Sequence, residues 1–372
     1  MNSKPHITYL TVARMPTEKA HGVSIAHMCA SFAAEGADVE LVIPTRRNAI
    51  TEDIFSYYGV PKTFSVRTIP VMDLVGRGFT HPFFFFLQRL LFVRAARRVG
   101  IAPGVVYTRE PEIAGVFAKT HETVYEVHRL PRGFWGTLTG ALIRHASLVV
   151  CNSRGTESAA RTLGATHTVV APNGFDPILF KGALPERAEL GLPEGPLALY
   201  MGSDAAWKGA DVVRAAAKLV ADGLTLVMVG GSKKAQSGHL VELGHVAPRD
   251  VAAYLRNADI LILPNTNISE ESERFTSPIK LFEYLAAGKA IVASDLPSIR
   301  EILEPNDAFF IPPGDAEALA HALKTLATDE SLRLRLAERA RAKATQYTWD
   351  ARAKRVLGAL ATSGGSSRFT QL

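Results

Sequence analysis

The residues of this chain best suited to chemistry lie in ERFTSPIKLFEYLAAGKAIVASDLPSIREIL, residues 273–303. Ser277-Pro278 reads as a helix cap followed by a proline at the first helical position. The N–H groups of Ile279 and Lys280 would then be free to meet a phosphate. Glu283 follows one turn later, where a carboxylate can accept two hydroxyls of a ribose. An ordinary ion pair with Lys280 is the competing explanation. The apolar neighbours Leu281, Phe282, Tyr284 and Leu285 argue against a solvated face.

Three other segments have the same character. In YMGSDAAWKG, residues 200–209, a strand ends at Gly202, a loop begins with Ser203, and Lys208 precedes a helix. A cation there opposes the helix dipole. It becomes intelligible if an anion such as a diphosphate shares the place; a solvated lysine is the plain alternative. In MPTEKAHGVSIAHMCASFAAEG, His21-Gly22 immediately precedes a helix. Its glycine would admit a ligand to the backbone, or it is simply a loop glycine. In YEVHRLPRG, residues 125–133, His128 ends a strand. A lone histidine is usually structural, but the carboxyl end of a strand is where open α/β sheets bind ligands.

The elements that must position these residues follow from the hydrophobic pattern. Short apolar runs at His6–Val12, Val39–Pro44, Val105–Arg109, Val124–His128 and Leu148–Asn152 alternate with amphipathic stretches at Val23–Glu35, Glu110–Lys119 and Gly155–Leu163. After Pro172-Asn173-Gly174 the alternation restarts. Strands are expected at Leu197–Gly202, Leu224–Gly230, Ile260–Pro264, Ala290–Ser294 and Phe309–Pro312. Helices are expected at Gly209–Ala221, Pro248–Asn257, Ile279–Ala287 and Ala316–Leu326. Strands buried on both faces and separated by helices make parallel sheets. Two such series predict two Rossmann-like domains, in keeping with 372 residues and 47% apolar composition.

Charge is unevenly placed. Residues 1–172 carry 19 Lys+Arg against 12 Asp+Glu, whereas residues 173–372 carry 23 against 24. A basic first half suits an anionic membrane surface or a phosphorylated substrate. No basic run with interleaved aromatics points to nucleic acid. Two cysteines, Cys29 and Cys151, give no disulfide framework, and the amino terminus reads as a buried strand and not as a signal peptide; a cytoplasmic protein is expected. PFFFFLQRLLFV at 82–93, followed by Arg94, Arg97 and Arg98, is too short to span a bilayer. It could lie on the inner face of a membrane as an interfacial helix. A helix packed on the first sheet explains it as well, and is the preferred reading. Residues 362–372, rich in Ser and Gly, read as a disordered tail.

Taken in order, MPTEKAHGV, APNGFD (171–176), GSDAAWKG, ILILPN and SPIKLFEYLAAGKAIVASDLPSIRE resemble the retaining glycosyltransferases of family 4, over almost the whole chain. The resemblance implies an α/β GT-B fold, two facing Rossmann-like domains with parallel sheets and a cleft between them. Residues 1–172 would form the acceptor domain and 173–345 the nucleotide-sugar donor domain, with a helix at 346–361 crossing back to the first. It implies transfer of a sugar, with retention, from a nucleoside-diphosphate donor to a glycan, a lipid-linked saccharide or a small molecule, as in polysaccharide biosynthesis. It makes Lys208 a ligand of the diphosphate, with Ser277, Pro278 and Ile279 as the helix terminus beneath it. Glu283 matches the second glutamate of an E-x7-E motif and would hold the ribose. Gly22 matches a glycine loop over the diphosphate, His128 a histidine contacting the donor sugar, and Gly244-His245-Val246 the segment whose backbone meets the base.

Two positions depart from the family. The first glutamate of E-x7-E falls on Phe275, with Glu273 two residues away, and the family's arginine is replaced by Ser203. Lys280 would supply the missing positive charge. No D-x-D pair occurs, so no metal is required, and no cofactor is implied. A phosphorylase, an epimerase, or an inactive sugar-nucleotide sensor could be built on the same fold.

Overall fold

The computed structural model describes residues 4–78, 81–128, 130–220, 223–232 and 234–363. The chain divides into two units, Met1–Pro172 with Trp349–Leu372, and Asn173–Thr348.

In the first unit the strands are β1 (His6–Leu10), β2 (Asp38–Pro44), β3 (Ser65–Ile69), β4 (Val105–Thr108), β5 (Glu122–Val127), β6 (Leu148–Cys151) and β7 (Thr168–Val170). Their helices are α1 (Ala20–Ala34), α2 (Ile54–Tyr58), α3 (Pro82–Val99), α4 (Pro111–Phe117), α5 (Gly133–Ile143) and α6 (Arg154–Thr162). The strands form one parallel sheet in the order β3-β2-β1-β4-β5-β6-β7. Strands β4 and β6 are buried at every residue. That is why they read as unbroken apolar runs and not as alternating ones.

The second unit repeats the plan. Its strands are β8 (Leu197–Met201), β9 (Thr225–Val229), β10 (Lys234–Ser237), β11 (Leu240–Gly244), β12 (Ile260–Leu263), β13 (Ala290–Ser294) and β14 (Phe309–Ile311). Its helices are α7 (Ala210–Ala216), α8 (Val251–Asn257), α9 (Ile279–Ala287), α10 (Pro297–Arg300), α11 (Ala316–Thr328) and α12 (Glu330–Ala344). The order is β10-β11-β9-β8-β12-β13-β14, parallel except for the β10–β11 hairpin. Helices cover both faces and bury a core on each, one containing Leu199, Leu263, Phe282 and Tyr284, the other Tyr200, Val213, Ile262 and Leu323.

The final helix, α13 (Trp349–Thr362), packs on α1, β6 and β7 of the first unit. Of the tail expected at 362–372, residues 364–372 lie outside the described residues.

Helix α3 bears out the preferred reading of its aromatic run in part. Phe92, Val93 and Ala96 are buried in the sheet-facing core, but Phe83 and Phe85 are 57% and 45% exposed. Packing on the sheet therefore accounts for the second half of the helix and not for the first. No described helix is long and apolar enough to cross a membrane.

Candidate functional site

In each sheet the strand order reverses direction once, between β1 and β4 and between β8 and β12. Loops leaving the carboxyl ends of such a pair diverge and leave a crevice that ligands occupy. Most of the residues singled out from the sequence lie on the loops at these two points or just beside them.

In the second unit the loop after β8 runs from Gly202 through Ser203 to Lys208. A short turn at Ala206–Lys208 precedes Gly209, whose φ of 78° and closeness to the Pro264 carbonyl demand glycine. The Lys208 ammonium donates to Ser203 Oγ at 3.0 Å, and burial pulls its pKa down. Across the switch point, Thr266 N donates to the Trp207 carbonyl at 2.9 Å. Ser272 is wholly buried and reaches the same carbonyl, which brings the wide turn Glu271–Phe275, with Glu273 and Phe275, against the Lys208 loop.

Helix α9 begins differently from the expectation. Pro278 is the N-cap and no side chain caps the helix. Ser277 is turned away, accepting from Asn173 N at 3.1 Å while its carbonyl accepts from Asn173 Nδ2 at 2.6 Å. The reason is the Asn173-Gly174 break between the two units, which needs partners for its own polar groups. The first N–H groups of α9 are thus left without a side-chain cap.

Lys280 projects from the first turn of α9 and is 9% exposed. Its ammonium lies 4.9 Å from the centre of the Tyr200 ring and has no hydrogen-bond partner among the described residues. Burial, and then the charge of Lys208, push its pKa well down. Glu283 is half-buried, and burial raises its pKa to about 7. The Lys280–Glu283 ion pair that the spacing allows is not among the ion pairs of the described residues. Two cations and a carboxylate are therefore held in partly dry surroundings without pairing one another. Val246 follows β11 and packs partly on the core. The fully buried Asn265, at the end of β12, has neither amide atom satisfied. It ends ILILPN, a segment that carries the resemblance, but was not singled out as a site residue.

In the first unit, α1 starts at Ala20, so His21 and Gly22 lie within its first turn and not before it. Gly22 is tightly packed. A Cβ there would stand 2.0 Å from the Tyr58 hydroxyl, which accepts from Thr17 N and donates to Thr17 O. The glycine makes room for a tyrosine. Burial, and then Arg109, hold the His21 imidazole at a pKa of about 4. Arg109 also reaches the His21 carbonyl at 3.4 Å.

His128 follows β5 and is about a quarter exposed. Its Nε2 meets Glu126 Oε1 in a very short contact. Burial, and then Arg109, push its pKa down to about 4 despite that carboxylate. Glu126 is completely buried, and the other oxygen accepts from Tyr107 Oη and, at 3.3 Å, from Arg352 Nη1 of α13. Burial opposes its ionisation, but Arg352, His128 and Arg109 together hold it well below the usual carboxylate range. Glu126, Arg109 and Arg352 were not foreseen, since Glu126 hides in a strand and Arg352 stands 226 residues away.

Two surface cavities of about 260 and 440 Å³ lie at the opposite, amino-terminal edge of the second sheet, around the Arg187–Asp259 pair. No group of His, Cys, Asp and Glu suited to a metal occurs among the described residues.

Residues 195–329 match the family model described as Glycosyl transferases group 1. The matched residues lie within the second unit. A phosphatidyl-myo-inositol mannosyltransferase of Mycolicibacterium smegmatis is 33% identical over 218 residues, 55% of this chain and 54% of that protein. The chain spans about half the length of the curated relatives it matches. Among solved structures, sucrose-phosphate synthase from Thermosynechococcus elongatus superposes with a TM-score of 0.76 at 19% identity, covering 95% of this chain and 97% of that one. Anabaena HepE in complex with UDP and glucose superposes with a TM-score of 0.73 at 18% identity, covering 96% and 100%. The fold is GT-B.

Proposed function

We propose that this chain is a retaining glycosyltransferase that takes a sugar from a nucleoside-diphosphate donor. The observation that carries the reading is the Lys280 ammonium, buried without a hydrogen-bond partner beside Lys208 at the uncapped start of α9. A buried cation without a partner is costly in the free protein, and a diphosphate would supply what it lacks. When the bond from the anomeric carbon to the phosphate oxygen breaks, negative charge grows on the leaving diphosphate. Lys208, Lys280 and the first N–H groups of α9 stabilise that charge as preorganised donors. The acceptor hydroxyl attacks from the face the diphosphate leaves, and its proton passes to a phosphate oxygen. Glu283, once ionised, accepts the ribose hydroxyls. The group 1 segment and the HepE complex with UDP and glucose support this reading. Thermal melting with UDP, GDP and ADP and their sugars tests it: one series should raise the melting temperature. No shift with any of them would overturn it.

The acceptor is proposed to be carried by a membrane lipid. On the first unit, Phe83, Phe85, Phe134 and Trp135 of α3 and α5 are 57%, 45%, 75% and 54% exposed, and Phe86 meets Trp135 at 5.9 Å. Neither helix holds an acidic residue, and α3 carries Arg89, Arg94, Arg97 and Arg98. Aromatic side chains with basic neighbours suit an anionic bilayer surface. The relative named for phosphatidyl-myo-inositol supports a lipid acceptor. The protein should float with phosphatidylglycerol vesicles, less so with added salt, and not with phosphatidylcholine. Equal behaviour with both would contradict it.

A further inference from the structure

We infer that Glu126 is a positioning residue that locks His128 as its Nε2–H tautomer, so that Nδ1 is presented to substrate as a hydrogen-bond acceptor. The inference rests on the glycosyltransferase reading above and on the resemblance that sets His128 against the donor sugar. It adds which ring nitrogen meets the sugar, in what protonation state, and which residues enforce it.

Glu126 has no exposure, and its oxygens meet three groups: His128 Nε2 at Oε1, and Tyr107 Oη and Arg352 Nη1 at Oε2. An ionised carboxylate can only accept, so each of those partners must donate. Tyr107 and Arg352 do so by their chemistry. His128 Nε2 must therefore carry a proton.

The second nitrogen follows from the charges around the ring. Glu126 on β5 faces it with negative charge. Arg109 after β4 and Arg352 on α13 face it with positive charge, and His21 on α1 is close enough to feel its charge. Tyr107 on β4, Tyr9 on β1 and Cys29 on α1 are further titratable groups close to the carboxylate, and burial keeps all three protonated. Burial and Arg109 outweigh Glu126, so the imidazolium is disfavoured at neutral pH. A neutral ring with its proton on Nε2 has a lone pair on Nδ1. That atom has no hydrogen-bond partner among the described residues. It can accept a sugar hydroxyl and cannot give a proton to one.

The arrangement is expensive for the fold alone. A buried ion pair seldom improves on an apolar pair of the same size. Arg352 is itself 3% exposed, and it is held by the Ala171 carbonyl at 3.0 Å as well as by Glu126. Its place on α13 makes the returning helix part of the device, since it supplies the charge that keeps Glu126 ionised. Orientation of a neutral histidine by an ionised carboxylate is a general way of fixing a tautomer.

The decisive experiment is nitrogen NMR of the full chain labelled at histidine, with His128 assigned by loss of its signals in H128Q. Between pH 6 and 8 the wild type should show the Nε2–H pattern, with no imidazolium. An Nδ1–H pattern, or a titration near 6.5, would overturn the inference. Glu126→Gln should give a mixture of tautomers and lower kcat by about tenfold or more, with donor KM little changed. Glu126→Asp should recover part of both. Wild-type tautomer and kcat in folded E126Q would overturn it too. Failure of the glycosyltransferase reading would look different: no nucleotide-dependent stabilisation of the wild type, whatever the tautomer of His128.

Discussion

The two units hold buried charge in opposite ways. In the first, Glu126 and Arg352 pair, and Glu126 has donors on both oxygens, from Tyr107, His128 and Arg352. In the second, Lys280 has no hydrogen-bond partner and Glu283 has no counter-ion among the described residues. In the first cluster the carboxylate itself is satisfied within the protein and fixes geometry, although Arg352 Nη2 has no hydrogen-bond partner among the described residues. The second is incomplete and acquires its partners only with a ligand. The satisfied carboxylate of Glu126 suits positioning, and the unpartnered ammonium of Lys280 suits binding. The contrast makes opposite predictions for removing a charge from each.

The largest expected effect on stability is in the first unit. Arg352→Ala leaves the Glu126 carboxylate buried without its main cation, which should cost about 3 kcal/mol. Chemical denaturation would show it, and a loss below about 1 kcal/mol would erase the contrast. Lys280→Met, by comparison, removes an unpaired buried ammonium while keeping the shape. The ligand-free protein should gain on the order of 1 kcal/mol, while its stabilisation by nucleoside diphosphate should disappear. A K280M protein that melts lower yet still responds to the nucleotide would reverse the assignment.

The smallest effect is on pH dependence. Glu283 titrates near 7 in the folded protein, against a value of 4.5 without burial. The native state thus holds a proton that the unfolded chain releases. This contribution to stability is complete below about 4.5 and is lost as the pH rises through about 7. Binding runs the other way, because only the carboxylate accepts two ribose hydroxyls. From pH 6 to 8, nucleoside-diphosphate affinity should rise in the wild type by about tenfold more than in Glu283→Gln. Calorimetric titration of both proteins would show it, and identical pH profiles would remove Glu283 from the ribose.

The sequence exposed those parts of the molecule that depend on local pattern. The fully buried strands β4, β6, β8 and β12 are unbroken apolar runs, and the Lys208-Gly209 and Ser277-Pro278 turns are marked by residue type. Strand β10 escaped because all four of its residues are exposed and its sequence, KAQS, has no apolar alternation. Helix α5 escaped because GFWGTLTG looks like a loop. Its glycines let it pack closely instead: a Cβ at Gly140 would lie 2.5 Å from the Leu163 carbonyl. The cap at Ser277 was misplaced because its hydroxyl bonds to Asn173, a contact 104 residues away in sequence. The Glu126 cluster was invisible for the same reason, being assembled from β4, β5 and α13 by the fold alone.

The most direct test concerns Lys208, which contacts Ser203 in the free protein and is proposed to meet the leaving diphosphate. Turnover of Lys208→Ala should be measured on a donor that stabilises the wild type, with melting used to verify the fold. The expected result is a folded protein whose turnover falls by about a hundredfold or more, the scale of losing one donor to a developing anion. Wild-type turnover would place the diphosphate elsewhere and contradict the account.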